Sequence, residues 1–135
     1  MRDAGQLLEA AQVHGHWYGT PRDQVERALA AGRDAILPID PQGARSIRRA
    51  IPEALLIFLM PPSLQDLVNR LRARSSESQA SLALRERNAV VEMEAAGDYD
   101  HVVVNETGRA EQTAERIWEI IDTESRREPR RIAHV

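Results

Sequence analysis

The 135-residue chain contains no lysine and no cysteine. All 18 of its basic side chains are arginine. Without an amine there is no Schiff-base chemistry and no lysine general base. A phosphate-binding loop of the usual kind, with lysine after its glycines, cannot be built from these residues either. Without a thiol there are no disulfides, no thiolate nucleophile and no cysteine-ligated zinc or iron–sulfur site. Long hydrophobic runs are also missing. The longest, Ala54 to Met60, is far too short to span a bilayer, so no membrane partner is expected. Met1 to Ala11 carries charges and has no continuous apolar stretch, so it does not read as a signal peptide, and a cytoplasmic address is expected. Strong charge of one sign is absent as well. The net charge of −3 gives no general case for a nucleic-acid partner.

What is present fits a globular domain, with 42% hydrophobic and 29% charged residues. Periodicity predicts a first helix from Asp3 to about Val13, with Leu7, Leu8 and Ala11 on one face. His14 to Thr20 breaks it with two glycines and the pair Trp17–Tyr18. Thr20 and Pro21 read as cap and first turn of a second helix that stops at Gly32. Ala35 to Ile39 reads as a strand interrupted by Pro38, and Pro41 to Ala50 as a basic helix or turn. The run to Met60 reads as a buried parallel strand. Ser63 then caps a helix, with Asp66 in the box position. Residues 72–79 are polar and arginine-rich, Leu82 to Ala96 is a polar helix, His101 to Val104 a strand, and Ala110 to Thr123 an amphipathic helix. The fold class expected is α/β, a parallel sheet of three strands (about 35–39, 54–60 and 101–104) with helices on both faces. The arginine-rich tail, 125–135, has no periodicity and is expected to be disordered.

Five segments share a register with one known family. They are QLLEAAQVHGHWYGTPR from Gln6 to Arg22, LPIDPQG from Leu37 to Gly43, IFLMPPS from Ile57 to Ser63, RLRARSSES from Arg70 to Ser78, and YDHVVVN from Tyr99 to Asn105. Together they resemble the guanylate kinases, P-loop nucleoside monophosphate kinases, over nearly the whole chain to about Thr123. The resemblance reaches only the later two-thirds of that family, whose P-loop lies upstream of the matching region. It implies phosphoryl transfer from ATP, with magnesium, to GMP, giving ADP and GDP, as part of purine metabolism. It also implies a domain over 1–124 with a lid at about 72–79.

The resemblance assigns GMP contacts to Glu9, Tyr18, Thr20 and Asp40, catalytic roles to Arg74 and Arg85 on either side of the lid, and an adenine-side contact to Asn105. The chemistry agrees. A carboxylate can accept both hydrogen bonds from the N1 and amine edge of guanine, which suits Glu9. The Tyr18 phenol can reach a phosphate oxygen, and Thr20 can donate or accept nearby. Arginines on a closing lid can stabilise the charge of a moving phosphoryl group. Read without the resemblance, Glu9 is a solvated helix residue, Tyr18 a packing residue, Thr20 and Asp40 helix caps, Arg74 and Arg85 parts of a solvated charge run, and Asn105 a turn residue. His14, His16 and Glu9 have no spacing that makes a metal set. The sequence departs from the family where Pro38 replaces a carboxylate, Pro41 a larger residue, and Ala73 a lid glycine. The alternative reading is a non-catalytic module that binds a nucleotide or a protein. Because the family's central P-loop strand has no counterpart here, self-association or a missing N-terminal segment is expected to fill the sheet.

Overall fold

In the computed structural model, which describes residues 5–13, 15–63, 66, 69, 79–127 and 132–135, Leu7–Val13 is a strand, β1. It pairs antiparallel with β2, His16–Pro21. The register runs from Val13↔His16 through Ala11↔Tyr18 to Glu9↔Thr20, and then shifts by one residue to Leu7↔Pro21. Leu8 is the extra residue of the resulting bulge. The connection at Gly15 needs φ = +84°, which glycine adopts without steric cost. The helix expected from Asp3 to Val13 is therefore not formed. Its leucine and alanine spacing fits a helix, but helix propensity is worth only tenths of a kcal/mol per residue. Pairing with the aromatic- and Thr-containing β2, together with burial of Leu8, outweighs it. Thr20 lies inside β2, so it does not cap the next helix. That helix, α1 (Arg22–Ala30), begins after Pro21 without a side-chain cap and is followed by Gly32 at φ = +72°.

Residues 35–39 carry no strand ladder. Leu37 and Ile39 still pack inward, while Ile36 is 74% exposed. This is the in–out alternation of an extended chain, but Pro38 has no N–H to donate to a neighbouring strand. At α2 (Pro41–Ala50) the Asp40 Oδ1 accepts the Gly43 N–H at 2.9 Å, and Pro41 sits where its missing donor costs nothing. The buried face of α2, with Ile47, packs against β1. Leu8, Val25, Ile47 and Ile51 form the core of this unit, Met1–Ala54 together with Arg131–Val135. Ala133 and Val135 pack against that core.

The second compact unit, Leu55–Arg130, is built on β3 (Ile57–Met60) and β4 (His101–Val104), which pair in parallel with Phe58 opposite Val102. The ladder is extended at both ends. The Leu56 carbonyl accepts from the backbone N–H groups of Asp100 and His101, and the Asn105 N–H donates to Met60 O at 2.8 Å. The Asp100 Oδ2 accepts the Leu56 N–H at 2.8 Å across 44 residues of chain. The strand expected over 54–60 is thus four residues long, because Leu56 is already paired to a side chain. The Ser63 hydroxyl accepts the Asp66 N–H and donates to the Asp66 Oδ2, both at 3.1 Å, while most of the helix expected after it lies outside the described residues. Helix α3 (Gln79–Glu94) leads through a 3-10 turn, Ala95–Asp98, to β4. Helix α4 (Ala110–Ser125) packs on β4. Tyr99 meets Phe58 edge to face at 5.1 Å between ring centres.

The architecture is mixed α/β. Its described strands form two separate two-stranded sheets, β1–β2 antiparallel and β3–β4 parallel. The expected three-strand parallel sheet does not form, because 35–39 stays unladdered. The chain divides into two compact units, Met1–Ala54 with Arg131–Val135 and Leu55–Arg130.

Candidate functional site

The ribbon supplies the most informative geometry. Tyr18 and Thr20 are two apart on β2 and so lie on one face. Glu9 is the Cα partner of Thr20, and directly opposed residues of an antiparallel pair share a face. Three of the predicted residues are therefore gathered on one side of a two-stranded ribbon. The position facing Tyr18 is Ala11, which is small. Tyr18 is 60% exposed, so it is not a packing residue. Such a face offers an acceptor carboxylate position, a hydroxyl and a phenol within a few residues, which suits a polar, planar ligand bearing a phosphate.

Asp40 lies in the same unit and caps α2 through Oδ1. The helix-cap reading of this residue is thus realised. Arg85 and Asn105 lie in the other unit. Arg85 is carried on α3. Asn105 ends β4, and its Oδ1 accepts from the Thr113 hydroxyl at 3.1 Å. That hydroxyl has one proton for two acceptors, since the Arg109 carbonyl also lies at 3.1 Å. Arg74 and the lid at 72–79, apart from Gln79, lie outside the described residues. A shallow depression at the end of α4, lined by Asp122, Thr123, Glu124, Arg126 and Arg127, contains none of the predicted residues. Among the described residues no group of three or more acidic or histidine side chains is placed to hold a metal ion. The bulge at Leu8 and its neighbour Arg22 escape the sequence reading. The signal for them is the adjacent pair Leu7–Leu8, which breaks strand alternation, but it is legible only once the segment is known to be a strand.

The guanylate kinase family model matches residues 1–124. The chain belongs to the guanylate kinase family. It is 47% identical over 107 residues to a guanylate kinase of Chelativorans sp. strain BNC1, a match covering 78% of this chain and 49% of that protein. Against a guanylate kinase of Leifsonia xyli the identity is 47% over 120 residues, covering 88% of this chain and 45% of the other. The fold superposes on the crystal structure of guanylate kinase from Anaplasma phagocytophilum with a TM-score of 0.78 and 32% identity, covering 97% of this chain and 62% of that one. The chain thus spans about half the length of the curated guanylate kinases it matches. Among the described residues no helix is long and apolar enough to cross a membrane.

Proposed function

We propose that this guanylate kinase chain carries the GMP-binding part of an enzyme that transfers a phosphoryl group from ATP to GMP, giving ADP and GDP in purine metabolism. The observation that carries the reading is the β1–β2 register, which sets Glu9 opposite Thr20 and on the face of Tyr18. Glu9 accepts from the guanine N1 and amine edge, Thr20 binds beside it, and Tyr18 donates to the GMP phosphate. Asp40 orients this site from the start of α2. Arg74 and Arg85 bracket the lid and stabilise the transferred group, and Asn105 lies toward the adenine. ATP brings magnesium, and its phosphates are cradled by an N-terminal segment of the enzyme that these residues do not include. Two facts support that division: the absence of lysine, and the half-length match to the relatives. That segment, or a second copy of the chain, covers the parallel sheet, where Leu59, Val102 and Val104 are exposed. The reading includes a cytoplasmic address and no nucleic-acid or membrane partner.

Calorimetric titration with GMP tests it. The chain is expected to bind GMP, and Glu9→Gln to bind it roughly 10- to 100-fold more weakly, since one charge-assisted acceptor is replaced by a donor. Equal affinities, or no heat of binding at millimolar GMP, overturn the reading. The departures at Pro38, Pro41 and Ala73 favour a second reading, a non-catalytic module that binds a nucleotide or a protein. GMP binding without turnover after addition of ATP, magnesium and the upstream lobe selects it.

A further inference from the structure

The pairing of β1 with β2 changes register inside the ribbon. Near the turn, partners sum to 29, as in Val13↔His16 and Glu9↔Thr20; at the entry, Leu7↔Pro21 sums to 28. Both registers have a turn to support them. The first closes on a two-residue connection. The second, continued to the end, pairs Gln12 with His16 and closes on a three-residue loop ending at Gly15, whose positive φ suits the last position of such a loop. The bulge at Leu8 is the boundary between the two. If it slid to the turn, Glu9 would face Gly19, and a one-residue slip moves a side chain to the opposite face of a ribbon. Glu9 would then leave the side that carries Tyr18 and Thr20.

Two anchors bear on this boundary. Leu8 is 6% exposed and packed with Val25, Ile47 and Ile51. At the entry, the Arg22 backbone N–H donates to Gln6 O at 2.8 Å and its guanidinium Nε–H donates to Gly5 O at 3.1 Å. We infer that Leu8 is a positioning residue: its insertion in the core pins the bulge and so holds Glu9 in the register that faces Thr20. Arg22 fixes only the entry register. Loosening Arg22 lets the bulge leave through the strand end and preserves Glu9↔Thr20. Loosening Leu8 lets it travel toward the turn and turns Glu9 away. The consequence for binding rests on the reading of Glu9 as the base-contacting carboxylate.

NMR on the whole chain tests this. In Leu8→Ala, and in the milder Leu8→Val should alanine not fold, a second set of cross-strand NOEs is expected, pairing residue 8 with 20 and 10 with 18. If a fraction f of molecules keeps the original register, the apparent GMP Kd rises by 1/f. Saturating GMP removes the second set, because it binds one register only. Arg22→Gln keeps Glu9↔Thr20, and its GMP Kd stays within about two-fold of the parent. A single register in both Leu8 variants overturns the inference, as does a second register that leaves the Kd unchanged or Arg22→Gln turning Glu9 away. If the parent chain does not bind GMP, the functional reading fails, while the register populations of the variants still decide the role of Leu8.

Discussion

Replacing Asp100 with alanine removes the acceptor that ties Leu56 to the start of β4. The bond is 2.8 Å long, part-buried and made by a carboxylate, and Leu56 itself is buried. Without the acceptor, the Leu56 N–H is stranded away from water. Leaving a buried donor unpaired costs about 1–3 kcal/mol, and hydrogen bonds to charged groups lie in the upper part of that range. Asp100 is half-exposed, so we take about 2 kcal/mol for Asp100→Ala. At a urea m-value of about 1–3 kcal/mol/M, the unfolding midpoint falls by about 1 M. The Leu56 amide exchanges with solvent about 30-fold faster, the same 2 kcal/mol expressed as an opening equilibrium. Asp100→Asn keeps an acceptor oxygen, and neutral bonds are about half as strong, so about 1 kcal/mol is lost. The reasoning is refuted if Asp100→Ala unfolds within about 0.2 M urea of the parent with unchanged Leu56 protection. It is refuted equally if asparagine costs as much as alanine, which would make charge rather than the acceptor responsible.

Ile47→Ala empties a position that is 3% exposed at the centre of the first unit, and a loss of about 2–5 kcal/mol is expected from denaturant curves. A loss below 1 kcal/mol would mean that the helix collapses onto the gap. Gly15→Ala meets no atom within 4 Å, so its cost, about 1–2 kcal/mol by the same measurement, comes wholly from holding φ at +84°. A neutral result would show that the turn relaxes.

The parts of the fold that were legible are those in which local pattern and tertiary environment agree. His101–Val104 is an apolar run with high strand preference, and it is a strand. Ser63 with Asp66, and Asp40 with Pro41, are cap chemistry that works at the range of one turn. Leu7–Val13 carries residues that prefer a helix, while its structure depends on a partner strand that the period of one segment cannot show. The 35–39 segment keeps the alternation of a strand without a ladder, since pairing depends on a neighbour as well as on the segment itself. For the site, the family resemblance named Glu9, Tyr18 and Thr20, but only the ribbon shows why these three share a face. Their grouping requires strand alternation, whereas the helix expected at Glu9 would have separated them. Asn105 was legible as a strand end, and its engagement with Thr113 was not, since that contact joins a strand terminus to a helix that starts five residues later.

The packing of Ala133 and Val135 on the first unit has a consequence for biosynthesis. That unit's remaining residues end at Ala54, and the second unit is threaded between them and the covering segment. A ribosome adding 5–20 residues per second takes about 4–15 s to make the intervening stretch of roughly 75 residues. During that interval the emerging first unit carries an uncovered apolar surface. Its maturation is therefore timed by synthesis of the second unit.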